Sequence, residues 1–154
     1  MEESLSSIFA RTKGIPINFN GQTVVAIIEI KITKPRAVFS IRRSSAKNDR
    51  VQGLVLKATN GQIVVDSADA GYPEVVFWSD SSPDIAKFEV HSKSGSTLKI
   101  WNVWKSTFGM SAWVGNAGMR VCEAGSVMTL ECSDGVGDVD FSDYVVTLEE
   151  QQCP

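Results

Sequence analysis

The chain has a single histidine, His91, and three cysteines, Cys122, Cys132 and Cys153, with no Cys-x-x-Cys pair. That argues against a zinc site, and an odd count is not a disulfide framework. There is no Gly-x-Ser-x-Gly elbow and no glycine-rich loop to cradle a phosphate. No apolar run approaches the ~18 residues of a membrane helix, so membrane insertion is not expected. The start, Met1-Glu2-Glu3-Ser4-Leu5, lacks an apolar signal core. The expected location is therefore cytoplasmic or non-classically exported. Internal repeats and low-complexity linkers are absent, and 154 residues suit one domain, 1–154. Helical periodicity is nearly absent too. Residues 4–11 predict one short helix within an N-terminal arm, 1–20.

What remains reads as strand. The run from Val24 to Ile32 alternates: Val24, Ala26, Ile28, Ile30 and Ile32 share one face, with Glu29 and Lys31 on the other. Further strands are expected at 37–43, 52–58, 62–66, 74–78, 84–91, 96–104, 111–114, 119–123, 126–132 and 143–149. Turns fall at Asn60-Gly61, Ser94-Gly95, Asn116-Ala117-Gly118 and Ala124-Gly125, and Asn60-Gly61 is the best two-residue hairpin signal. With no helix-length crossovers, the expected fold is all-β: a mainly antiparallel β-sandwich of about ten short strands.

No catalytic constellation stands out, and an enzyme is not expected. His91 falls on the Ile85, Lys87, Glu89 face of its strand, toward solvent. Cys122 and Cys132 read as small buried hydrophobes, out of register for a disulfide, so a Cys–His dyad is not expected. Cys153, in the tail, would be free for an intermolecular disulfide. Trp101, Trp104, Phe108 and Trp113 cluster within thirteen residues. Trp104 aligns with Leu98 and Ile100, whereas Trp101 takes the other face. One of the two is expected in the core; the other, Trp101, is a candidate to stack on a sugar or plug an interface.

Charge is unevenly spread. All fifteen Lys and Arg lie at or before Arg120, against ten acids; residues 121–154 carry eight acids and no base. An acidic end attracts cations or basic partners, or is simply a solvated surface. Lys34, Arg36, Arg42, Arg43, Lys47 and Arg50 flank one strand, but only Phe39 lies among them, so nucleic acid is not an expected partner.

The most specific segment is residues 134–147, where Asp138, Asp140 and Ser142 alternate and Asp143 follows. Calcium takes six to eight oxygens, and such spacing can supply them. A strand follows, so this is no EF-hand. Asp138-Val-Asp140-Phe-Ser142-Asp143-Tyr-Val-Val, preceded by Asp134-Gly135, resembles the calcium loop of the bacterial calcium-mediated lectins that bind fucose and mannose. Asn20-Gly21-Gln22-Thr23-Val24 resembles that family's other calcium-ligand segment. Ser142 stands where the family has Asn, Ser133 where it has an acid, and Gly137 is extra. The resemblance implies a β-sandwich with calcium held by Asp134, Asp138, Asp140, Asp143 and Asn20. Carbohydrate would complete the coordination, with Ser142, Gly21, Gln22 and Trp101 beside it. The alternative for the loop is a metal-free polar hairpin with Asx-turns. For function, the alternative is an intracellular protein-interaction module, an inhibitor or assembly subunit. In either case exposed strand edges make a homo-oligomer an expected partner state.

Overall fold

The computed structural model describes residues 3–66, 70–107 and 109–151; Phe108 and Cys153 lie outside them. The short helix forms as α1 (Leu5–Thr12). Ser4 caps it by accepting the Ser7 N–H at 3.2 Å, and Lys13, at φ 59°, ends it in the left-handed region. Leu5 and Phe9, one turn apart, bury against Val24 in a small satellite core.

Two antiparallel sheets follow. One holds eight strands in the order β1 (Ile17–Phe19), β2 (Gln22–Val25), β11 (Gly118–Ala124), β12 (Val127–Ser133), β13 (Tyr144–Gln151), β4 (Arg36–Ala46), β8 (Ile85–His91) and β6 (Gln62–Val65). The other runs β10 (Gly109–Ser111), β9 (Ser96–Ser106), β5 (Gln52–Thr59) and β7 (Glu74–Trp78), with β3 (Ile28–Ile32) also paired to β9. The sandwich class and most expected strands are therefore present, as thirteen strands in the described residues. Between the sheets lie Phe39, Ile41, Leu54, Leu56, Phe88, Ile100, Leu130 and Val146.

Several expectations change. The alternating run from Val24 is two strands in different sheets. It breaks at Ala26, whose carbonyl accepts the Trp113 indole N–H at 2.9 Å. Asn60-Gly61 is no hairpin but a crossing between sheets, from β5 to β6. The Asn60 amide is tied to Ser94 Oγ and Gly95 O, at 3.0 and 3.1 Å, in the neighbouring crossing from β8 to β9. Two-residue hairpin turns are found instead at Gly125-Ser126, between β11 and β12, and at Asn20-Gly21, inside the expected arm, where φ is 52° and 83°. Positive φ at both positions is the type I′ signature. The strand expected at 111–114 ends at Ser111. In β11–β12, Cys122 faces Thr129 and Cys132 faces Met119, so both thiols are free. Cys132 is buried as expected, but Cys122 is exposed. Trp101 and Trp104 are both buried; the indole left exposed is Trp113, at 47%.

Candidate functional site

β13 pairs with β4, and this neighbourhood decides what the acidic segment meets. Tyr144 sits opposite Ala46, and the ladder runs on through Lys47 N–H to Asp143 O at 2.9 Å. The basic residues after β4 therefore face the loop before β13. Asp134 is fully buried. Its Oδ2 accepts Arg50 and the Gln52 amide, each at 2.8 Å, and its Oδ1 accepts the Val136 N–H at 2.9 Å. Asp143 Oδ2 accepts the Asp134 N–H at 3.0 Å, and Lys47 Nζ lies 3.5 Å from its other oxygen. Lys47 also donates to Asp140. Asp140 Oδ1 accepts the Ser142 N–H and hydroxyl. Burial pushes the Asp143 carboxyl above the usual carboxylate range, against the opposing pull of the Asp134 N–H and Lys47.

The loop thus gathers Asp134, Asp140 and Asp143, with Ser142 hydrogen-bonded to Asp140, and neutralises them with Lys47 and Arg50. Val136 N–H on Asp134 and Ser142 N–H on Asp140 are both Asx-turns. Asp138 is exposed. Among the described residues no group of three acidic, histidine or cysteine side chains is placed to hold a metal ion. Asn20 occupies its hairpin turn, beside Gly21, whose N–H donates to Asn18 Oδ1 at 2.9 Å. Gln22 accepts from Arg120. This hairpin reaches the acidic segment through Phe19, edge-on to Phe141 at 6.3 Å. Arg120 lies over that Phe141 ring at 4.9 Å.

Lys47 and Arg50 were visible in the sequence as members of a basic cluster. The missed signal was reciprocity, a base-rich stretch at 34–50 and a base-free stretch at 121–154. Lys34–Glu150, at 3.1 Å, extends the same seam.

The loop also buttresses a second surface. Gly115, at φ 57°, crosses Gly135 so closely that a Cβ on Gly115 would sit 2.1 Å from the Gly135 carbonyl oxygen. Asn116 accepts the Leu5 N–H at 3.2 Å and donates to Gly137 O at 2.8 Å, tying helix start to loop. Just ahead of these anchors in the chain stands Trp113, at φ 56°. For a bulky side chain that backbone is strained. Its ring stacks on Trp101 at 5.0 Å, and its N–H is held by Ala26 O. Beside it opens a pocket of about 330 Å³ lined by Ser6, Phe9, Ala10, Ala26, Ile27 and Ala117. Trp78 shares the outer sheet face with Trp101, lying over Gly53 with Lys105 Nζ 4.8 Å from its ring centre.

His91 is exposed and bonded to Glu89 at 2.7 Å. It is on β8, four strand positions from the β11 that carries Cys122, or about 19 Å. Burial pushes the Cys132 thiol far up. Among the described residues, no helix is long and apolar enough to cross a membrane. No protein-family model matches the chain, and neither curated proteins nor solved structures give a match.

Proposed function

We propose that this chain is a non-enzymatic recognition domain that takes carbohydrate on the surface built around Trp113 and Trp101. The observation that carries the reading is the presentation of Trp113: a large, half-exposed indole kept in a strained backbone conformation, backed by a second indole and pinned by its own N–H. Strain of this kind costs on the order of 1–3 kcal/mol and persists where surrounding structure imposes it, commonly at ligand sites. A fixed indole face offers apolar area to the C–H face of a pyranose, and the Ser6 hydroxyl in the adjoining pocket offers a polar partner. In this reading the acidic loop needs no ion. It holds the Trp113 segment through Asn116 and Gly135 while Lys47 and Arg50 balance its charge. Among the described residues, the separation of His91 from Cys122 and the burial of Cys132 leave no Cys–His dyad.

A glycan array in calcium, repeated in chelator, with Trp113→Gly alongside, tests the proposal. The expected result is a set of hits that chelator leaves in place and Trp113→Gly removes. An array without hits, or hits indifferent to Trp113→Gly, would count against it. Hits that vanish only in chelator would return the sugar to the acidic loop.

A further inference from the structure

β3 pairs with β9 on one side, and among the described residues no strand pairs with its other side. Other edges are short or covered. β1 spans three residues after Pro16, β10 spans three, Tyr72 bridges Ile63 of β6, and β7 runs beside β6. β3 has neither proline nor bulge, two of the devices that close an edge, and its two exposed charges, Glu29 and Lys31, are of opposite sign. Ile28, Ile30 and Ile32 point inward, and the exposed Glu29 and Lys31 point outward. Next to this edge the wider sheet leaves an open cleft of about 560 Å³, lined by Val25, Ile27, Phe39, Val121, Met128 and Leu148 among others.

We propose that this edge joins two copies of the chain, β3 of one antiparallel to β3 of the other about a two-fold axis at Ile30. In that register the strand is its own complement. Ile30 faces Ile30, Ile28 faces Ile32, and Glu29 faces Lys31 on both sides of the axis. A symmetric dimer contact needs this property, since the same patch must fit itself. Opposite charges directly across an antiparallel pair stabilise it and like charges destabilise it. The alternatives are penalised. A slip of one residue sets isoleucines against charged positions, and a slip of two sets Glu29 against Glu29 or Lys31 against Lys31. The cleft flanks the Ile28–Ile30 half of the strand, beside the β11–β12 hairpin. The two-fold axis puts the second copy's hairpin at the opposite end, so the two overhangs lie side by side. Ile28 and Ile30, half-buried in one copy, lose their remaining exposure, and that apolar burial adds to the backbone pairing. Glu29 and Lys31 lie outside the pocket beside Trp113, so self-pairing and sugar binding are separable.

Sedimentation equilibrium on the full chain tests this with four proteins: wild type, Lys31→Glu, Glu29→Lys and the double exchange. Both side chains are exposed, so folding is not at stake. Glu29 also faces Lys99 at 3.8 Å, which makes Lys31→Glu the cleaner single change. The expected result is a wild-type dimer whose Kd rises about tenfold or more in each single variant. The double exchange restores wild-type affinity, and an equal mixture of the two single variants associates. A wild type still monomeric at about 1 mM, or one Kd shared by all four proteins, overturns the proposal.

Discussion

Asp134, read from the sequence as a metal ligand, has a full set of partners inside the chain. It is fully buried and receives Arg50, Gln52 and a backbone N–H, so its charge is matched inside the chain. Removing one partner of such a pair leaves the other uncompensated. Asp134→Asn is therefore expected to cost about 2–4 kcal/mol in urea unfolding, at any calcium concentration. The thiols differ just as plainly. Cys132 is buried with its thiol pushed up, whereas Cys122 is exposed. In a Cys153→Ser background, a maleimide should label Cys122 in the native protein and reach Cys132 only on unfolding. Trp113→Gly removes a stack and a hydrogen bond but also relieves a positive φ. The terms oppose each other, so its stability should stay within about 1 kcal/mol of wild type while ligand binding is lost.

At the scale of elements, alternation and turn residues made the strands legible, but not the sheet each strand joins. Asn60-Gly61 and Asn20-Gly21 are the same dipeptide. The first crosses between sheets because Ser94, Gly95 and Ser92 bind it there, and the second closes a hairpin. Nothing local distinguishes them; the difference lies in contacts more than thirty residues away. The same holds at Ala26, where a carbonyl is drawn out of the ladder by Trp113, 87 positions along the chain. The β4–β8 pairing carries its own pH signature. Arg36 first, then His91, holds the Glu89 carboxyl down to about 2. Its stabilising contribution is complete above the unfolded carboxylate value of about 4.3 and is lost as pH falls through about 2. Acid unfolding of Glu89→Gln should be flatter than wild type across that window, and equal slopes would count against the pairing. At the loop crossing, Gly115→Ala would force a Cβ against the Gly135 carbonyl at a positive φ. A loss of about 3 kcal/mol or more is expected by thermal or urea unfolding.

Over the whole molecule, the uneven charge of the sequence becomes a seam. A base-rich stretch and a base-free stretch meet because β4 and β13 are neighbours, and Lys34, Lys47 and Arg50 face Glu150, Asp140, Asp143 and Asp134. The acidic spacing was legible in the sequence, but the partner of that acid was not, because charge complementarity across some ninety residues has no local pattern. The seam also bears on metal binding. Lys47 stands between two carboxylates, so Lys47→Gln should lose stability at low salt, and millimolar calcium should recover part of it where sodium at equal ionic strength does not. The most direct measurement is the melting temperature of the unaltered chain in chelator, in millimolar calcium and in millimolar magnesium. An internally neutralised loop predicts three superimposed curves. A calcium-selective rise of roughly 5–10 °C, the shift expected from a native-state ligand at a hundred times its Kd, would contradict it and make the acidic loop a metal site.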